Sequence, residues 1–323
     1  MVGAAGYIGS HIAHALAERG ESVVAVDDLS TGSSHRLGHL PLHRIDVTSA
    51  EAVGALSELM LDEQVEGVVH LAARKAVGES TRDPLLYYSH NVDGVVNVAA
   101  AMALAGVVRV VFSSTAAVYG DSGDAPLTED APTTPINPYG RSKLVGEWVL
   151  GDSAAAYGLR AASLRYFNVA GAGDPALADR GLTNLIPLVV DAAQRGSAVE
   201  IFGDDFPTPD GTCVRDYIHV ADVAAAHLVV LDRLRDAEES HRVYNIGGGA
   251  GSSVREVVDA VQLASGRPIA FRVVSRRPGD PASVVADVSR ARSELGWGPR
   301  HDLFGIVASE WAARTTNGVT LRA

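Results

Sequence analysis

Met1-Val2-Gly3-Ala4-Ala5-Gly6-Tyr7-Ile8-Gly9-Ser10-His11 opens the chain, and the reading of everything downstream follows from it. Glycines at positions 3, 6 and 9 allow a tight backbone turn and close approach to a pyrophosphate. Ile8, Ile12 and Leu16 continue at helical spacing, and Gly20 closes the run, so an amphipathic helix is expected. Its N-terminus would offer unpaired N–H groups and a positive dipole end to an anion. The apolar run Ser22-Val23-Val24-Ala25-Val26 reads as a strand ending at Asp27 and Asp28. A carboxylate at that place can bind both ribose hydroxyls of an adenosine and repel a 2′-phosphate, which favours NAD over NADP. The plain alternative for the two acids is a solvated strand end. Three spaced glycines are a weak signal alone. The helix, strand and acid in order make a dinucleotide signature.

One feature conflicts with that signature. The strand leading into such a turn usually has about five or six residues. Here only Met1 and Val2 precede Gly3. The first strand is therefore expected to be truncated, and the natural chain to begin upstream.

Working outward, Gly67 to Leu71, Val107 to Phe112 and Ala161 to Tyr166 are further strand candidates, separated by helical patterns. Strands alternating with helices predict an α/β fold: a doubly wound parallel sheet of Rossmann type. The later chain is less regular and richer in Gly and Pro, as in Asp204 to Gly211 and Arg276-Arg277-Pro278-Gly279-Asp280-Pro281. We expect residues 1–168, joined by parts of 214–236, to bind the cofactor, and residues 169–323 to form a smaller α/β substrate domain. The 323 residues carry 47% hydrophobic and 20% charged side chains, enough for a sizeable core. A formal net charge of −12 disfavours a nucleic-acid partner. The single cysteine, Cys213, excludes an internal disulfide and reads as an apolar filler. No stretch has the length of a membrane span, and no basic and apolar leader opens the chain, so a cytoplasmic location is expected. His35, His39 and His43 sit four apart without a supporting carboxylate set, and no metal site is expected.

The second anchor is Asn137-Pro138-Tyr139-Gly140-Arg141-Ser142-Lys143. Pro138 suits a helix start, and Tyr139 and Lys143, four apart, share one helix face. An ammonium neighbour stabilises phenolate, so Tyr139 can act as a general base. Lys143 can also bind a nicotinamide ribose. An exposed Tyr and Lys on an ordinary helix is the bland alternative. Val110 to Gly120 weighs against it: a strand runs into Ser113, Ser114 and Thr115, and ligands in such sheets sit beyond the carboxyl ends of strands. Thr115 is the candidate partner of a reacting alcohol.

Together these segments resemble the extended short-chain dehydrogenase/reductase superfamily, and within it the UDP-glucose 4-epimerase family. The likeness also rests on Lys75-Ala76-Val77-Gly78-Glu79-Ser80, Leu164-Arg165-Tyr166-Phe167-Asn168 and the run from Asp210 to Val220. It implies an isomerase that inverts C4 of UDP-glucose and UDP-galactose through a transient 4-keto sugar, with NAD held throughout. Catalysis would fall to Tyr139, Lys143 and Thr115. Cofactor contacts implied are Gly3, Gly6, Tyr7, Ile8, Gly9, Asp27, Asp28, Asp46, Val47, Leu71, Ala72, Ala73, Lys75, Asn91, Ser113, Tyr139, Lys143, Tyr166 and Phe167. Substrate contacts implied are Lys75, Thr115, Asn168, Asn184, Leu185, Arg215, Arg277, Asp280 and Val284.

Two arginines suit a diphosphate because the guanidinium fork matches its oxygens. Where some members of the family carry a bulky Tyr, this chain has Val284. That implies room for an N-acetylated sugar, against a simple packing role. Arg74 departs from an apolar residue usual in the family, with no account in sequence terms. A dehydratase would need an acid pair after Thr115, where Ala116-Ala117 stand; a uronic-acid epimerase and a non-catalytic dinucleotide sensor are the other readings. A UDP-sugar partner and a homodimer are the expected associations, with no membrane.

Overall fold

The computed structural model describes residues 1–121, 123, 125–237, 239–277 and 279–319; Pro278 lies outside them. The chain separates into two compact units, one made of Met1–Gly120, Thr133–Tyr166 and Ala224–Tyr244, the other of Asp121–Pro132, Phe167–Val223 and Asn245–Ala323.

The first unit is a helix-covered sheet. Its elements begin with α1 (Tyr7–Glu18), β1 (Ala25–Val26), β2 (Leu42–His43), α2 (Ala52–Asp62) and β3 (Gly67–His70). They continue with α3 (Val77–Arg82), α4 (Pro84–Ala105), β4 (Arg109–Thr115), α5 (Pro138–Tyr157) and β5 (Arg160–Tyr166). β1 pairs with β2, and β3 with β4 and β4 with β5, all parallel. Val2 joins the two sets by bridging in parallel to Val26 on one side and His70 on the other. The order is therefore that of a doubly wound sheet, with the residue before the glycine turn at its centre. That central strand is a single bridging residue. The run expected as a strand from Ser22 forms ladder only at Ala25–Val26, which pairs with Leu42–His43 on one side and bridges to Val2 on the other.

Both faces are covered by apolar stripes. Val68, Val110 and Phe112 of the sheet pack with Leu56, Met60, Val95, Val98, Met102 and Leu150 from α2, α4 and α5. Ala4, Ala5 and Ala25 pack with Ile12 and Leu16 of α1 and with Ala224.

The second unit contributes β6 (Asn168–Ala170), α6 (Leu185–Arg195), β7 (Val199–Phe202) and β8 (Val214–His219). Next come α7 (Val220–Arg233) and β9 (His241–Ile246), which run into the first unit and back, β9 pairing with β5. Then follow β10 (Gly251–Ser253), α8 (Val254–Ser265), β11 (Phe271–Val274), β12 (Ser283–Val284), α9 (Ser289–Leu295) and α10 (Leu303–Val319). β8 is the hub: β6 and β12 pair with it in parallel and β10 antiparallel. β7 and β11 form a separate parallel pair. Ile186, Val189 and Val190 of α6, Val257, Val258 and Val261 of α8, and Ile306 and Val307 of α10 make the core.

Candidate active site

The glycine turn is built as dinucleotide binding requires. Gly3 has φ +81°, and a Cβ there would lie 2.5 Å from the Ala72 nitrogen. A Cβ on Gly9 would collide with the Gly3 carbonyl, so the turn folds back onto the start of α1 only with glycine there. Gly6, by contrast, would place a Cβ no nearer than 3.5 Å to the Gly3 oxygen, leaving its outer side clear. It caps α1 without a side-chain hydrogen bond, and no acidic residue occupies the first turn. That arrangement suits an anion. Tyr7 is buried at the helix start and Ile8 half-buried. Asp27 accepts from Ala5 N and Leu29 N, both at 2.9 Å. Burial pushes its carboxyl up, and those two amides oppose the shift. Asp28 is tied locally to Ser30. Asp46 is exposed and accepts from the Thr48 backbone and hydroxyl, which hold its pKa below the usual carboxylate value. Val47 is buried in the core below it. Leu71, Ala72 and Ala73 line the exit of β3, half-buried, with Lys75 exposed beyond them.

The candidate reacting groups expected from the sequence sit over the end of β4. Asn137 caps α5, its Oδ1 accepting from Gly140 N at 2.8 Å, with Pro138 in the first turn. Gly140 lets the helix approach Ala117, whose oxygen would be 2.5 Å from a Cβ. Tyr139 is thereby brought to Thr115, whose hydroxyl hydrogen-bonds the phenol. Lys143, one turn on, is 3% exposed; its Nζ donates to the Ser113 carbonyl at 2.7 Å and lies 4.8 Å from the centre of the Phe112 ring.

The electrostatics differ from the expectation that the ammonium governs the phenol. Burial pushes Tyr139 up, and the Thr115 hydroxyl is the group that lowers it. Burial also brings Lys143 down to about 7, opposed by the Glu147 carboxylate. Glu147 is itself locked: it accepts from Ser114 Oγ at 2.5 Å and forms a two-point pair with Arg165 at 3.0 and 2.7 Å. Tyr166, bonded to Ser113 and to His227 Nε2 at 2.6 Å, is held neutral by burial. His70 stacks on the other side of this group against Phe112, and burial drops it to about 3.

Asn91 is buried; its Oδ1 accepts from Arg74 N and its Nδ2 donates to Arg74 O and Ser142 Oγ. It ties the Lys75 loop to α5. Glu147, Arg165 and this amide link were not singled out from sequence; their only signal is burial of polar residues, which the chain order does not display.

In the second unit Arg215 projects from β8, with Nη1 donating to Val214 O at 2.8 Å and Nη2 3.7 Å from Asp280 Oδ1. Val284 is its register partner on β12. Arg277 stacks on Phe202 of β7, 3.8 Å from the ring centre, and the Arg277 carbonyl accepts from Asp280 N. Asn168 donates to the Asp216 carbonyl at 3.0 Å, and Phe167 N to Ile246 O. Arg215, Asp280, Val284 and Arg277 thus form one connected set. Asn184 and Leu185 start α6, and no hydrogen bond described among these residues joins them to it. Asp216, also not anticipated, is fully buried and accepts from the amides of Gly248, Gly249 and Ala286. It pins β12 and the 247–249 turn to β8; burial raises its carboxyl to about 6.

Fold and site together define a doubly wound protein with a dinucleotide cradle. The chain belongs to the NAD dependent epimerase/dehydratase family, whose sequence pattern matches residues 1–247. The UDP-glucose 4-epimerase of Azospirillum brasilense is 48% identical, across 96% of this chain and 89% of its own length. The crystal structure of UDP-glucose 4-epimerase from Stenotrophomonas maltophila, with bound NAD and formylated UDP-arabinopyranose, is 40% identical and superposes with a TM-score of 0.92 over 98% of both chains. The UDP-Glc/GlcNAc 4-epimerase of Campylobacter jejuni is 36% identical with a TM-score of 0.85, also over 98% of both.

Proposed function

We propose that this chain is an NAD-dependent isomerase that interconverts UDP-glucose and UDP-galactose at C4 through a transient 4-keto sugar. The observation that carries the reading is the set at the end of β4: the Tyr139 phenol bonded to Thr115, with Lys143 one helical turn behind it. When bound, NAD supplies a reversible hydride acceptor, held by the Gly3–Gly9 turn, Asp27 and Lys143. Tyr139 takes the proton of the sugar 4-hydroxyl during oxidation and returns it after the sugar is reduced on its other face, so no net redox occurs. Thr115 orients the 4-oxygen. Protonated Lys143, favoured by Glu147, supplies positive charge against the desolvation that disfavours phenolate. Arg215 and Arg277 grip the diphosphate, with Asp280 orienting Arg215.

A dehydratase reading fits less well. Thr115 runs into Ala116–Val118, a single helical turn without an acid to eliminate water. A second substrate class has a specific support. Val284 is half-buried beside Arg215, and its short side chain takes up less room there than an aromatic one would; turnover of UDP-N-acetylglucosamine checks it. Among the described residues no helix is long and apolar enough to cross a membrane. A cytoplasmic homodimer is part of the proposal: Leu85, Val96 and Leu104 of α4 and Trp148 of α5 are large apolar side chains left exposed. Size-exclusion with light scattering measures that state.

The decisive experiment is a coupled assay for UDP-glucose appearing from UDP-galactose with no added NAD. Steady formation is expected, and its absence in folded, cofactor-loaded protein sinks the reading.

A further inference from the structure

The loop that carries Lys75 also carries Arg74, and what Arg74 touches leads to the reacting phenol by two routes. We propose that Tyr87 is a positioning residue for the catalytic Tyr139, locked in place by Glu79 and, more weakly, by Arg74. The inference rests on the role proposed for Tyr139.

Tyr87 stands in the first turns of α4 and is 0% exposed. Its hydroxyl lies 2.7 Å from the Ala76 carbonyl and 2.8 Å from Glu79 Oε2, so its one proton is shared between two acceptors. Burial and Glu79 push its ionisation far up, which removes Tyr87 from any proton transfer of its own. The other carboxylate oxygen of Glu79 is 3.5 Å from Arg74 Nη1. With the phenol end fixed in this way, the ring packs edge-to-face against Tyr139, centroids 6.4 Å apart at 85°. The second route is the backbone. Asn91 holds Arg74 N and O and donates to Ser142 Oγ, and Ser142 donates to the Tyr139 carbonyl at 2.8 Å. The loop before α3 is therefore tied to both the ring and the main chain of Tyr139.

Position matters because the phenol's ionisation depends on how close it stays to its neighbours. The groups around it are Thr115 on β4, Lys143 on its own helix, Tyr166 on β5 and Tyr87 on α4. Beyond Lys143 stand Glu147 on α5, which raises the ammonium, and His70 on β3, which burial and Lys143 keep neutral. A ring that moves away from Thr115 loses the group that lowers it, so the phenol rises.

The magnitudes rank the three residues. An edge-to-face pair of this kind is worth about two- to tenfold in an equilibrium. The Arg74–Glu79 pair, with side chains 30% and 38% exposed, is of the class worth about twofold. In cofactor-loaded protein Tyr87→Leu is expected to lower kcat about tenfold with KM within about twofold, and to move the acid limb of the kcat–pH profile to higher pH. Tyr87→Phe keeps the ring and should restore kcat to within about threefold of the parent. Arg74→Leu should shift the limb the same way by about twofold, and Glu79→Gln, which also takes the charge from the bond to the Tyr87 hydroxyl, by more than that.

An ultraviolet difference titration of the Tyr139 phenol, referenced to Tyr139→Phe, reads the same shift without turnover. Absence of any epimerisation would defeat the proposed function, while this titration still decides the role of Tyr87. An unmoved phenol titration in folded Tyr87→Leu overturns the inference. Should that variant not fold, an unmoved titration in Glu79→Gln overturns it equally.

Discussion

The glycine turn and the Arg215 cluster place binding groups by different means. In the first unit the groups proposed to face the anion are backbone amides, and the shape that aims them comes from the absence of side chains at Gly3, Gly6 and Gly9. In the second, the proposed binding groups are guanidinium forks on Arg215 of β8 and on Arg277, aimed by what they pair with: Asp280 for Arg215 and Phe202 for Arg277. A site made of backbone tolerates almost no substitution. One made of side chains is expected to degrade in steps.

The proton-transfer group should respond most strongly of all. Tyr139→Phe removes the proposed general base and is expected to lower kcat by about 10²- to 10⁴-fold with KM little changed, measured in the coupled assay. Near-normal turnover would take Tyr139 out of the mechanism and leave the comparison without its chemical centre.

Next comes a pair of substitutions that splits the backbone site from within. Gly9→Ala forces a Cβ into the Gly3 carbonyl, so the protein should lose about 1–3 kcal/mol in chemical unfolding and retain no NAD. Gly6→Ala meets nothing nearer than 3.5 Å, so the fold should keep its melting temperature while cofactor retention falls. Equal stability losses in the two would mean that Gly6 is constrained by the fold rather than by the ligand.

Arg215→Ala should cost about 1.5–3 kcal/mol of nucleotide binding, a roughly ten- to hundredfold rise in KM with a smaller change in kcat. Arg215→Lys should fall between, since the charge stays and the fork is lost. If lysine restores KM in full, the fork is not what holds the diphosphate.

The last expected effect, read in stability rather than in activity, concerns Asp216. Its carboxyl is raised from 3.8 to about 6 by burial, so between those values the folded protein holds a proton that the unfolded chain has released. Stability should therefore fall as pH rises through that window, by at most about 3 kcal/mol from this group. Asp216→Asn should flatten that slope in urea melts from pH 4 to 6. An unchanged slope would place the titration elsewhere.

How much of this could be read in chain order follows from distance along the chain. Gly3, Gly6, Gly9 and Asp27 fall within one strand–turn–helix–strand run, and Tyr139 and Lys143 within one helical turn, so spacing alone exposed them. Arg277 and Lys75 look like solvated cations by any local rule, and only the family likeness marked them. Ser114, Glu147 and Arg165 come from β4, α5 and β5, and Tyr87 and Glu79 from α4 and α3. No periodicity links such positions. The second strand was expected from Ser22, yet ladder forms only at Ala25–Val26, because pairing depends on the neighbour that happens to lie alongside.

Local chemistry in the order of residues was enough to establish the alternating architecture and to nominate the acid after the second strand and the Tyr139–Lys143 pair, since each is a relation between residues a few positions apart. Which groups set the ionisation of that tyrosine had to wait for the folded chain. Desolvation and the Thr115 bond outweigh the ammonium at Tyr139, and a carboxylate from the next turn tempers Lys143. The cause is physical: burial and the register of parallel strands arise only when distant segments pack, and those two determine how much water and charge each group meets.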